Sequence, residues 1–169
     1  MTVEALNRLS AGEASHQLSR CCGSSRWVSG MLALRPYRAA EDVLRAADTI
    51  WTALAPSDWN EAFRHHPRIG DLKHGEEKFS ATARLAAGEQ RGIRDASDAV
   101  LQRLREANEE YERKFGFIYI VCATGKKGDE MLENLKSRLA NDAPKEVRVA
   151  AEEQRKITTI RLKHLLEIR

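Results

Sequence analysis

Between Ala39 and Leu54 the apolar positions Val43, Ala46, Ala47, Ile50, Trp51 and Leu54 recur at steps of three and four, the spacing of one stripe along a helix. Pro56 has no amide hydrogen with which to continue that helix and is expected to end it. Ser57 is expected to cap a second, short helix over residues 58–65, which Pro67 closes. Nearer the start, Ser10 and Glu13 stand in the S-x-x-E relation of a capping box ahead of AGEASHQLSR, and either Ser24 or Ser25 opens RWVSGMLALR. Ser97 precedes a longer amphipathic segment in which Leu101, Leu104, Asn108, Tyr111 and Phe115 share a face, with Gly116 placed to stop it. The pattern returns past Lys126 in Met131, Leu132, Leu135 and Leu139, and again from about Ala143 to the end with Val147, Ala150, Ile157, Ile160, Leu165 and Ile168. The expected fold class is all-α, with seven or eight helices.

One stretch reads differently. Residues 117–123, FIYIVCA, are β-branched and aromatic with no helical stripe, so an extended segment is expected, and no obvious strand partner exists for it. Its amide and carbonyl groups must still be paired. Either it presents a hydrogen-bonding edge to a ligand, or it is a buried connector satisfied by its own neighbours. The glycine-containing stretches 70–80 and 123–129 read as loops.

Composition narrows the class. A chain of 169 residues, 42% hydrophobic, with only four prolines and ten glycines, is long enough for one well-buried core and short for two, so a single compact domain over 1–169 is expected. A net charge of +3, evenly dispersed, is too small to act as a polyanion-binding field, so no nucleic-acid partner is required. The first residues lack a basic start followed by an apolar run, and nowhere do about 18 apolar residues run together, so neither export nor a membrane span is expected. Cys21, Cys22 and Cys122 are odd in number and lack C-x-x-C spacing, which argues against a disulfide scaffold or structural zinc and suits the cytoplasm.

Candidate chemistry concentrates at His65-His66-Pro67-Arg68-Ile69-Gly70-Asp71, where proline forces the chain out of a helix beside two imidazoles. Rigid irregular backbone at a helix end can aim a side chain into a pocket, and an imidazole near its reference pKa of about 6.5 exchanges protons at neutral pH. The alternative is a satisfied surface or capping histidine. His65, His66, His74 and Asp71 are metal-capable, but adjacent histidines diverge and no H-E-x-x-H or second cluster is present, so no metal is expected. Glu89-Gln90-Arg91-Gly92 follows the small residues 81–88, which would let a ligand approach an acid and an amide; the plainer reading is an exposed polar turn. Gly125-Lys126-Lys127-Gly128 lacks the frame of a phosphate loop. Arg155, Arg161, Lys163 and Arg169, interspersed with Glu152, Glu153 and Glu167, read as a solvated face of the last helix.

The order of these blocks says more than any one of them. CCGSSRWVSGM, DWNEAFRHHPRIGD, GEQRG, NEEYERKFGFIYIVCATG and KITTIRLKHL together resemble the 2-oxo-4-hydroxy-4-carboxy-5-ureidoimidazoline (OHCU) decarboxylases of urate degradation, over nearly the whole chain. The resemblance implies an all-helical homodimer that needs no cofactor and converts OHCU, a small-molecule substrate, into (S)-allantoin with loss of carbon dioxide. It places the family's catalytic histidine on His66, its acid and amide on Glu89 and Gln90, and its late arginine on Arg161. Substrate-binding positions fall on Pro67, on Ala86, Ala87, Gly88, Glu89 and Gln90, and on the backbone of Tyr119, Ile120, Val121, Cys122 and Ala123.

Two departures are visible. Ala86 stands where relatives often have serine, so one polar contact is lost or comes from Ser80 or Thr82, and the interval from His66 to Glu89 is a few residues longer than in some members, which shifts the 73–83 loop. The competing class is a helical module that binds nucleic acid through its basic last helix, or binds protein, without catalysis. Steep salt dependence would mark phosphate contacts.

Overall fold

The computed structural model describes residues 1–68 and 96–168. Among the described residues there are eight helices and no strand: α1 (Val3–Arg8), α2 (Ala11–Cys21), α3 (Ser25–Ala33), α4 (Ala40–Thr52), α5 (Pro56–Phe63), α6 (Asp98–Phe115), α7 (Gly128–Leu139) and α8 (Ala143–Leu165). The chain divides into two compact units, Met1–His65 with Arg155–Arg169, and His66–Gln154.

In the first unit, capping chemistry sets the helix starts. Ser10 and Glu13 form the expected capping box, the Ser10 amide donating to Glu13 Oε2 at 2.9 Å and the Glu13 amide to Ser10 Oγ at 3.3 Å. Of the two serines before Trp27, Ser24 is the cap, its hydroxyl accepting from the Trp27 amide at 3.3 Å. Helix α1 was not anticipated. Thr2 caps it by accepting from the Ala5 amide at 3.2 Å, and it buries Val3 and Leu6. Ser57 does not cap α5: Pro56 occupies the first turn, where a missing amide hydrogen costs nothing, and the Ala55 amide donates to Asp58 Oδ2 at 3.1 Å. That helix ends at Phe63, ahead of Pro67.

The core of this unit follows the expected stripes. Val43, Ala47 and Trp51 of α4 are buried, with Trp27 Nε1 donating to the Ala47 carbonyl at 3.1 Å. Gly30 of α3 admits Ile50 so closely that an added Cβ would lie 3.1 Å from its Cδ1. Ile157, Leu162 and Leu166 from the C-terminal stretch are also buried.

The second unit is built on α6, α7 and the first half of α8. Its core joins Leu104 and Tyr111 of α6 to Met131, Leu132 and Leu135 of α7, with Tyr119, Val121 and Ala123 of the intervening segment among them. Gly116 stops α6 as expected, at φ 77°, with its amide donating to the Glu112 carbonyl at 2.8 Å. Tyr111 then meets Phe117 and Tyr119 edge-on, at ring-centroid distances of 5.7 and 5.5 Å.

Candidate functional site

The chain leaves α5 through His65 and His66, and the two imidazoles have different surroundings. His65 is exposed, and its ring lies against Gly23, where an added Cβ would come within 2.4 Å of His65 Cγ. A glycine in CCGSS is therefore what lets this histidine seat against the backbone. His66 and Pro67 are half-buried, and Arg68 beyond them is anchored to Glu112 of α6 at 2.6 Å. Ala86, Ala87, Gly88, Glu89 and Gln90 lie outside the described residues, as do Asp71 and His74.

Residues 117–123 form no strand, and Tyr119, Ile120, Val121 and Ala123 are buried. Side chains take the place of a partner strand for two of its groups. The Ile120 carbonyl accepts from Arg138 Nη1 at 2.7 Å, and the Cys122 amide donates to Glu153 Oε2 at 2.8 Å. The spacing of two is that of an extended chain, in which residues i and i+2 turn their amide and carbonyl groups to the same edge. Between them, no hydrogen bond joins the Val121 backbone to another described residue. The buried-connector reading is met at the Ile120 carbonyl and the Cys122 amide, which neighbouring side chains satisfy.

Arg138 is the centre of a buried polar cluster. Its guanidinium meets Glu146 Oε1 through Nε at 2.7 Å and lies over the Tyr119 ring at 4.7 Å, while Asn141 Nδ2 donates to Glu146 Oε2 at 2.6 Å. Burial alone would disfavour the guanidinium's charge, but Tyr111 and Glu146 outweigh it and hold its pKa above the ordinary arginine value. Burial likewise raises the Tyr111 and Tyr119 hydroxyls.

Helix α8 corrects the expectation of a solvated basic face at Arg161, while Lys163, Glu152 and Glu167 are exposed as expected. Arg161 is only 4% exposed, and Arg155 pairs with Asp48 at 2.6 Å. The buried stripe runs through Glu146, Ala150, Glu153, Gln154, Ile157, Thr158, Arg161 and Leu162, at helical steps of three and four. Polar residues occupy core positions there, which is why an apolar-only reading found Ala150 and Ile157 but added the half-buried Val147, Ile160, Leu165 and Ile168. Arg161 stands near the Cys21 and Cys22 thiols, and although its charge favours thiolate, burial pushes both up to about 12. Both are therefore held as protonated thiols at neutral pH.

In the loop Gly125-Lys126-Lys127-Gly128 one lysine and one amide are engaged by acids. Lys126 Nζ lies 3.6 Å from Glu153, and the Lys127 amide is taken by Glu130 Oε2 at 2.7 Å. Arg138, Glu146 and Glu153 were missed from sequence, yet a signal existed: each is a charged residue in register with the apolar stripe of its helix. No group of three or more metal-capable side chains occurs among the described residues.

The OHCU decarboxylase family model matches residues 7–163. The chain is 37% identical over 145 residues to a uric acid degradation bifunctional protein of Arabidopsis thaliana, covering 86% of this chain and 45% of that one. It is 30% identical over 139 residues to the 2-oxo-4-hydroxy-4-carboxy-5-ureidoimidazoline decarboxylase of Amia calva, covering 79% and 75%. It thus spans less than half of the plant relative and three quarters of the fish one. A crystal structure of an OHCU decarboxylase in the presence of (S)-allantoin superposes with a TM-score of 0.75 at 33% identity, covering 90% of this chain and 98% of that one.

Proposed function

Because the chain belongs to the OHCU decarboxylase family, we propose that it decarboxylates 2-oxo-4-hydroxy-4-carboxy-5-ureidoimidazoline to (S)-allantoin in urate degradation, without a cofactor. What carries this reading is the family match from residue 7 to residue 163, which runs through both compact units and supports treating 1–169 as one domain. We read the working form as a cytoplasmic homodimer. The dimer is implied by the resemblance, and three free thiols suit a reducing compartment. No described helix is long and apolar enough to cross a membrane.

The substrate supplies its own electron sink. As the carboxylate leaves as carbon dioxide, the electron pair of the broken bond forms a double bond to the ureido-bearing carbon, and the ring C=N nitrogen takes a proton to give an enaminol. The enaminol then loses its hydroxyl proton and gains one at the ureido-bearing carbon. The protein need only position this heterocycle and exchange protons. In our reading Glu89 accepts or orients the hydroxyl proton and His66 delivers the proton to carbon from one face, which fixes the S configuration. Pro67 and residues 86–90 line the ring.

Arg161 belongs at the ring or ureido oxygens rather than at the carboxylate. Charge leaves the carboxylate in the transition state, so a tight ion pair there would favour substrate over transition state. A buried cation or the Gln90 amide facing the oxygens instead meets charge as it develops. Within the 119–123 segment, the backbone of Val121 matches the donor and acceptor of a ureido group.

The test is to generate OHCU in place from urate with urate oxidase and the following hydrolase, add this protein, and follow optical rotation. Faster appearance of allantoin as the S enantiomer alone is expected. Racemic allantoin at the spontaneous rate overturns the reading.

A further inference from the structure

A buried ion pair is a poor source of stability, since removing two charges from water costs about what their attraction returns. The pair formed by Arg138, at the end of α7, and Glu146, in the first turn of α8, is 5% and 0% exposed. Its geometry is fully specified. Nε of the guanidinium meets Glu146 Oε1 at 2.7 Å, its face covers Tyr119, and Asn141 holds the other carboxylate oxygen at 2.6 Å. Of the other two nitrogens, Nη2 reaches the Tyr111 hydroxyl at 3.2 Å and Nη1 the Ile120 carbonyl at 2.7 Å. A planar fork held in this way has one orientation, so the carbonyl it binds has one position. Without a strand partner among the described residues, the 119–123 segment needs such an outside reference.

We infer that Arg138, locked by Glu146, is a positioning residue that sets the backbone of 119–123 for substrate binding. The inference rests on the reading above, in which that backbone holds the ureido end of the substrate. Because the ureido donors and acceptors that this backbone meets neither form nor break a bond in the reaction, the segment binds substrate and transition state nearly alike. Disturbing it therefore raises KM and leaves kcat nearly unchanged.

The experiment measures kcat and KM of the full chain and of the double variant Arg138→Met/Glu146→Gln, which removes both charges and leaves neither one unpaired. A KM raised at least tenfold, with kcat within about threefold, is expected. An unchanged KM overturns the inference, as does a fall in kcat at unchanged KM, the mark of a smaller folded fraction. Should the double variant fail to fold, Arg138→Lys decides the matter. It retains the ion pair but loses the fork, and the same KM criterion applies. Activity of the unaltered chain separates the two ideas: no turnover of OHCU defeats the functional reading, whereas turnover with an indifferent Arg138 defeats only this one.

Discussion

His65 and His66 are adjacent in sequence and unlike in setting, one with its ring against Gly23 and the other half-buried beside Pro67. Only the second is assigned proton transfer. His66→Asn, and likewise Glu89→Gln, is expected to lower turnover by roughly 10² to 10⁴ with the fold intact. His65→Ala is expected to retain kcat within a few-fold. Rates on freshly generated OHCU check both, and equal losses at the two histidines would assign the chemistry to the wrong ring. The HHP junction was legible in sequence because a proline beyond the first turn cannot continue a helix. Which imidazole is held by a distant glycine was not, since Gly23 and His65 meet only through folding.

At the scale of elements, most helix boundaries were local facts. Ser10, Ser24 and Ser97 cap, and Gly116 terminates, through contacts spanning three or four residues. Pro56 was misjudged because proline both ends one helix and starts the next, and the choice fell to Ala55 and Asp58. Gly116 sits at φ 77°, a conformation that costs an L-residue about 1–2 kcal/mol. An added Cβ meets no neighbour there, so the backbone term stands by itself. Gly116→Ala is expected to destabilise by about 1 kcal/mol, read as a lower urea midpoint at an unchanged slope. Stability equal to that of the unaltered chain would contradict the left-handed cap.

For the molecule as a whole, buried acids fix the response to alkali. Cys21 and Cys22 are pushed from about 9 up to about 12 by burial, and Tyr37 also up to about 12 by burial. An unfolded chain releases its thiol protons near 9, whereas the folded chain retains them until about 12. Their contribution to stability is therefore complete below pH 9 and is lost as pH rises towards 12, at up to about 1.4 kcal/mol per pH unit for each thiol. Urea unfolding at pH 7, 9 and 10.5 is expected to show little change over the first interval and a clear fall over the second. A flat profile to pH 10.5 would mean that the two thiols are not buried as described.

Helix content, most caps, the break at Pro67 and the odd extended segment were written in the sequence, because each depends on chain-local spacing and backbone chemistry. The family blocks were equally legible, being ordered strings of residues. Tertiary structure decided the rest. Arg161 became a buried cation instead of a solvated one, Arg138 and Glu153 became hydrogen-bond partners of a segment 18 and 31 residues away, and Gly23 became the seat of His65. A charged residue on an apolar stripe has two outcomes, exposure or burial with a partner, and the partner's approach is a long-range event that no local pattern encodes.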